Sequence, residues 1–235
     1  MKITQPKSVP ESNQQGQQLG RKGLQTKQKL MAAALELLNA YSPVDLTAVA
    51  IAKEAGTSSA SFYMYFVDVS DILYALAEQA GLAMSPLNEI VKKPWDKERL
   101  RENATLLVET FNVIWNKHRV VLRFRNLEAD RGDPRFESLR LNTYVPFIDL
   151  LARQIIACTP ENCAKPSLGQ AFSLASVLHA AMERLASTEP AVVARGVGTH
   201  RLTNALVHTI MLVFSSGAPQ SAENPALQKE VKPSK

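Results

Sequence analysis

Residues 48–66 read AVAIAKEAGTSSASFYMYF, and the reading of this stretch decides the rest. Two helices crossing at a steep angle need a small residue where they touch, and Ala52 supplies it. They also need a sharp turn a few residues on, and Gly56 supplies the permissive backbone. Ile51, Ala55, Phe62 and Tyr65 flank the turn as a miniature core. Ser58 or Ser59 can cap a short second helix that ends near Phe66. The spacing Ile-Ala-x-x-x-Gly, followed by serines and then aromatics, is that of a helix-turn-helix whose 58–66 helix enters a major groove of DNA. A tight corner in an ordinary helical bundle would show the same Ala-x-x-x-Gly spacing. The aromatic run and the charge upstream favour DNA.

That charge lies at one end. Within residues 1–35, Lys2, Lys7, Arg21, Lys22, Lys27 and Lys29 stand against Glu11 alone, which accounts for the whole formal net charge of +5. A basic arm before a neutral body suits phosphate contact; a solubilising tail is the plainer alternative. Residues 1–20, rich in Gln, Ser, Pro and Gly, have no period and are expected to be a disordered arm. The stretch after residue 216 has few large apolar residues and is expected to be a flexible tail.

Between these ends the pattern is helical throughout, with no strand alternation, and predicts an all-α fold of about nine helices. Helices are expected near 27–40, 46–55, 58–66 and 69–85, the last capped by Asp68 or Ser70. Asp96 opens another, with Leu100, Ala104, Leu107, Phe111 and Ile114 on one face, and Val120 to Ala129 reads as a separate shorter one. A long helix through Tyr144, Phe147, Leu151 and Ile155 follows Pro134. Two final helices run near 167–187 and 198–215. The organisation expected is a helix-turn-helix domain over 21–68 and a larger helical domain over 69–216.

The segment Leu30 to Leu73, with LTAVAIAKEAGTSSASFYMYF followed by VDVSDIL, resembles the DNA-binding domain of TetR-family regulators. The resemblance implies roles by position. Thr47 begins or caps the second helix near phosphate, and Lys53 lies near the DNA backbone. Thr57, Ser58, Ser59, Ala60 and Ser61 open the recognition helix and face bases or phosphates. Tyr63 reaches the DNA backbone, and Tyr65 packs or contacts phosphate. Val69 stands where the family usually has a phosphate-binding Lys. Lys53 is the only Lys or Arg within residues 41–80, against Asp45, Glu54, Asp68, Asp71 and Glu78. Phosphate affinity is therefore expected from Arg21, Lys22, Lys27 and Lys29, from hydroxyls and from helix N-termini, with a shallow salt dependence. Deleting residues 1–29 is expected to weaken operator binding sharply.

The resemblance further implies a ligand pocket and a dimer interface beyond residue 85. The last two helices have apolar residues on more than one face, Leu174, Leu178 and Leu185 on the first and Leu202, Leu206 and Ile210 on the second. One face can meet the domain's own core and the other the same helices of a second subunit. Candidate ligand contacts are Phe111, Trp115, Arg119, Arg123, Phe124, Tyr144, Phe147, Phe172, His179 and Met182; core packing and a solvated charged face are the alternatives. An amphipathic ligand or an organic anion would suit them.

Other chemistry finds little support. His179 and Glu183 sit one helical turn apart, but two ligands are too few for a metal, so neither metal nor cofactor is expected. Cys158 and Cys163 flank a short loop and could form a strained disulfide. Asn103-Ala104-Thr105 matches a glycosylation sequon within a predicted helix. No G-x-S-x-G, H-E-x-x-H, P-loop or dinucleotide fingerprint occurs, so no enzyme is expected. The first residues contain no apolar signal stretch, and no run is long enough to span a bilayer, which makes the cytoplasm the expected place. The partners expected are a palindromic double-stranded operator, a small-molecule effector and a second copy of the chain, with no membrane. Repression is the outcome the resemblance implies; activation, ligand-independent regulation and a helical protein-interaction module are the alternatives.

Overall fold

The computed structural model describes residues 13–216, and no β-strand occurs among them. The helices run α1 Arg21–Ala40, α2 Ala48–Glu54, α3 Ser59–Tyr65, α4 Val69–Leu82, α5 Ser85–Lys92, α6 Leu100–Asp130, α7 Pro134–Cys158, α8 Leu168–Ser187, α9 Pro190–Arg195 and α10 Thr199–Ser215. The all-α expectation holds.

The first three helices close over Leu30, Ala34, Leu38, Ile51, Ala52, Phe62 and Phe66, all buried. α4 then carries this core into the larger domain, packing against α1 on one side and against α6 and α7 on the other. Its buried stripe Ile72, Leu73, Leu76, Ala77 and Ala80 has the spacing of a helix that needs partners on two sides. Near its end α4 comes very close to α7: a Cβ added at Gly81 would lie 2.9 Å from the Thr143 Oγ1, which is itself bonded to the Leu139 carbonyl. The remaining helices surround α6 and α7, with α8 packed mainly on α7 and α10 mainly on α6.

Several boundaries differ from the sequence reading. α1 begins at Arg21, six residues before the expected start. α4 ends at Leu82, short of the expected 85, and Pro86 sits in the first turn of α5, where its missing N–H is no loss. The expected 120–129 helix is the far half of α6, continuous with the first half but kinked at His118, whose φ and ψ are −113° and 16°. Asp96 precedes a 3-10 turn, Lys97–Arg99, rather than opening α6 directly.

Part of the arm expected to be disordered is a folded turn. Asn13 Oδ1 accepts from the backbone N–H groups of Gln15 and Gln17 at 3.0 and 2.9 Å. Gly16, at φ +75°, completes the turn. An Asn opening a turn and a Gly closing it three residues later explains the local order. Residues 1–12 of the expected arm, with Lys2 and Lys7, and the expected tail at 217–235 lie outside the described residues.

Candidate functional site

The α2–α3 corner is built by local bonds. Thr47 Oγ1 accepts from the Ala50 N–H and Ser58 Oγ from the Ser61 N–H, both at 3.1 Å, so each helix starts on a side-chain cap. Gly56 takes a φ of +66°, a value that L side chains rarely adopt. The turn lets the Thr57 N–H reach back to the Ala52 carbonyl at 2.9 Å. Phe62 is fully buried and meets Tyr63 and Phe66 at ring centroids of 5.4 and 5.7 Å.

With Phe62 as the anchor, the opposite face of α3 is turned outward. Thr47, Lys53, Ser58, Ser59, Ala60 and Tyr63 are exposed, and Thr57, Ser61 and Tyr65 are partly so. Met64 is also exposed, which the sequence reading did not single out. The corner therefore presents hydroxyls and aromatic edges, with Lys53 and the exposed Glu54 beside it as the charges of α2.

Arg21 and Lys22 are exposed at the start of α1. Lys27 is placed differently: it lines a groove of about 600 Å³ between α1, α4, α5 and α7, where its charge acts on Glu78. Burial raises the Glu78 carboxyl above its usual range, against the pull of Lys27.

A neighbour missed from the sequence sits at the end of α3. The Gln14 N–H donates to the Met64 carbonyl at 3.0 Å, and its side-chain amide donates to the Tyr65 carbonyl at 3.2 Å and to Asp71 at 3.4 Å. The Asn13-x-x-Gly16 signature was the available signal for the turn itself, though not for its contact with α3. Asp68 and Asp71, which flank Val69, are occupied by the α4 cap: Asp68 Oδ1 accepts from the Asp71 N–H, and Asp71 Oδ2 from the Val67 N–H. A cation does reach this place from elsewhere in the chain. Arg135, at the start of α7, donates to Ser70 at 3.0 Å, pairs with Asp133 and lies within 6 Å of the Tyr74 ring.

In the larger domain the expected ligand contacts separate into two groups. Phe111, Trp115, Tyr144, Phe147, His179 and Met182 are all buried. The His179 ring lies 4.1 Å from Tyr144 and 6.1 Å from both Phe111 and Phe147. Burial holds this imidazole neutral, with its pKa down at about 4. The other group is elsewhere. Arg119 bonds to Asn116 and the Thr188 carbonyl, and Arg123 pairs with Glu189, so both tie α6 to the segment after α8. Phe124 meets Phe136 edge-on, and Phe172 is only half-buried. The arginine that enters the cluster is Arg125, fully buried and bonded to Tyr144.

The expected dimer residues also divide. Leu178, Leu206 and Ile210 are spent in the chain's own core. Leu174, Leu185 and Leu202 are half-buried. The large apolar residues left outward on these helices are Val177, 68% exposed, Leu212, 55% exposed, and Leu168 at the start of α8, 48% exposed. The two cysteines are free thiols, and Cys158 donates to the Trp95 carbonyl.

The comparisons with known proteins agree with this architecture. Residues 30–76 match the model of the bacterial regulatory proteins of the tetR family, and residues 87–220 match a Tetracyclin repressor-like C-terminal domain. The chain belongs to the TetR family. Like the regulators of that family it joins a helix-turn-helix to a helical C-terminal domain. No curated protein matches the sequence. Among solved structures, a TetR-like fold recurs in a protein of unknown function from Rhodococcus sp. RHA1, at 21% identity and a TM-score of 0.60, covering 80% of this chain and 94% of that one. A TetR-family regulator from Mesorhizobium loti aligns at 13% identity with a TM-score of 0.58 over 83% of this chain and 97% of its own. The fatty acid degradation regulator FadR from Bacillus halodurans aligns at 14% identity with a TM-score of 0.55, over 84% and 97%. Among the described residues of this TetR-family chain, no helix is long and apolar enough to cross a membrane.

Proposed function

We propose that this TetR-family regulator is a homodimeric repressor, with no catalytic activity, that binds a palindromic operator and is released by a small-molecule effector held in the larger domain. The observation that carries the reading is the outward Ser/Tyr face of α3, held by the fully buried Phe62 on its inner side. Two such faces must sit about one turn of DNA apart, roughly 34–36 Å, for both to read one side of the duplex. The outward stripes of α8 and α10, around Val177 and Leu212, are the surface that supports pairing of two copies.

Linkage supplies the mechanism. An effector that binds better to a dimer of different spacing lowers operator affinity by the same factor that operator lowers effector affinity. α4 is the natural lever, because it touches α1 in the DNA-binding unit and α6 and α7 in the larger domain. Arg135 adds a polar tie between the start of α7 and Ser70 on α4.

The test is selection of bound duplexes from a random pool by the full chain, followed by footprinting. Enrichment of a twofold-symmetric site with half-sites one helical turn apart supports the reading. Recovery of unrelated sequences, or no DNA retained, overturns it. Val177→Glu and Leu212→Glu are expected to give monomers by sedimentation and to lose operator binding together.

A further inference from the structure

Among the described residues four buried polar atoms have no hydrogen-bond partner: Asn88 Oδ1 on α5, and three that lie deeper, Arg125 Nη1, His179 Nε2 and Trp115 Nε1. These last three belong to side chains more than nine-tenths buried. A guanidinium stays charged at any physiological pH, so burying it with an idle edge is costly. Arg125 is well fixed on its other edge. Its Nε and Nη2 donate to Asn126 Oδ1 at 3.1 and 2.9 Å, and Nη2 also donates to Tyr144 Oη at 2.6 Å. Its charge lies over the Tyr144 ring, 4.6 Å from the centroid. Glu183 approaches Nη2 only to 4.0 Å, and the same oxygen already accepts from Asn126 Nδ2 at 2.6 Å. The fork is thus held in place with one side open.

The rings continue from that point in a row: Tyr144 against His179, then His179 against Phe111 and Phe147. The track has one cationic end and an aromatic remainder. A groove of about 570 Å³ between α1, α6 and α8 reaches it at Asn126, and Arg123 and Arg184 line its mouth together with Asp130.

Building on the effector reading above, we propose that the effector is an organic monocarboxylic acid, its carboxylate held by Arg125 and its apolar body lying among Tyr144, His179, Phe147 and Phe111. A planar carboxylate matches the guanidinium edge, whose Nη1 is the donor that Glu183 and Asn126 leave unused. His179 Nε2 and Trp115 Nε1 remain for a hydroxyl or carbonyl further along the molecule. An entering body must part rings that now stand 4.1 Å apart, and Tyr144 is on α7 while His179 is on α8, so occupancy moves these helices against each other. The end of α1 and the turn after it, at Leu38, Tyr41 and Pro43, form one wall of the groove and lie in the DNA-binding unit.

The test is calorimetric titration of the full chain, without DNA, with octanoate and phenylacetate and with their neutral amides. The acids are expected to bind at least about tenfold more tightly than the amides, as a charge-assisted bond lost on amidation requires. Equal binding of acid and amide, or binding of neither, overturns the proposal. Arg125→Met is expected to weaken the acids by about 30-fold or more while leaving the amides unchanged. Tyr144→Phe removes the hydroxyl beside the guanidinium and keeps the ring; a smaller, acid-selective loss is expected there even if Arg125→Met fails to fold, and an equal effect on acids and amides counts against the site. Operator occupancy is read separately. Acid binding without operator release upholds the site and removes the release mechanism; release by neutral compounds alone leaves the repressor reading standing and overturns this one.

Discussion

The α2–α3 corner and the cluster around Arg125 handle polar groups in opposite ways. At the corner, Thr47, Ser58, Asp68 and Asp71 each accept from a backbone N–H close in sequence, and the exposed hydroxyls face water. Nothing there is strained for want of a partner. In the larger domain, a charged fork, an imidazole and an indole are buried with atoms unpaired. A surface that will meet DNA can wait in solvent at little cost, whereas a site that will enclose a small molecule must keep its donors dry beforehand. The lesson is that the corner and the cluster differ in where their unsatisfied valence lies.

The sharpest way to break the contrast is at its anchor. Phe62→Ala removes a fully buried ring from the corner and is expected to cost roughly 3–5 kcal/mol of stability, measured by urea unfolding. A loss near zero would mean that the corner does not depend on this core.

The buried cluster predicts a pH dependence that the corner does not. His179 has a folded pKa of about 4 against an ordinary value near 6.5, so between these the unfolded chain binds more protons. Stability contributed by the neutral ring is therefore complete above the unfolded value and falls as pH drops through the window. Roughly 2 kcal/mol should disappear between pH 7 and pH 5. His179→Gln should flatten that limb in urea titrations; an equally steep limb in the variant assigns the effect elsewhere.

Ser58→Ala is the milder probe of the corner. Loss of the cap on α3 should cost about 1 kcal/mol and weaken operator binding without altering the oligomer. Weaker still in stability, but sharper for coupling, is Arg135→Gln. It removes the tie to Ser70, and it should leave the thermal midpoint nearly unchanged while narrowing the difference in operator affinity with and without effector. An unchanged difference in fluorescence-anisotropy titrations would take Arg135 out of the coupling.

The corner was legible because its determinants are local: Ala52, Gly56, the two caps and Phe62 all lie within a span of sixteen residues. The larger domain was legible in class and less so in detail. Arg119 and Arg123 were expected at the ligand and Arg125 was the one buried, because the kink at His118 resets the phase of α6 and periodicity cannot follow it. The expected dimer residues divided for a related reason. A helix with several apolar faces does not say which face its own core will take, and the core took Leu178, Leu206 and Ile210. Residues 13–19 were read as part of a structureless arm because their composition is polar, yet the backbone bond from Gln14 to Met64 spans a gap in sequence that no local pattern reveals. The start of α1 at Arg21 also changes how the arm is best tested, since a truncation ending at residue 29 would remove helix as well as charge, and one ending at residue 20 would not.

Gly81 sets how near α4 can lie to α7. At this point α4 lies close against Thr143 on α7 only because it carries no side chain there, so a side chain added at position 81 would wedge the two helices apart. Gly81→Ala would insert a shim of one methyl group against Thr143. The gain in helix propensity, about 1 kcal/mol, would offset much of the steric cost, leaving a folded chain whose reading heads are set apart in advance. Such a protein should bind its operator weakly from the start and respond little to any acid.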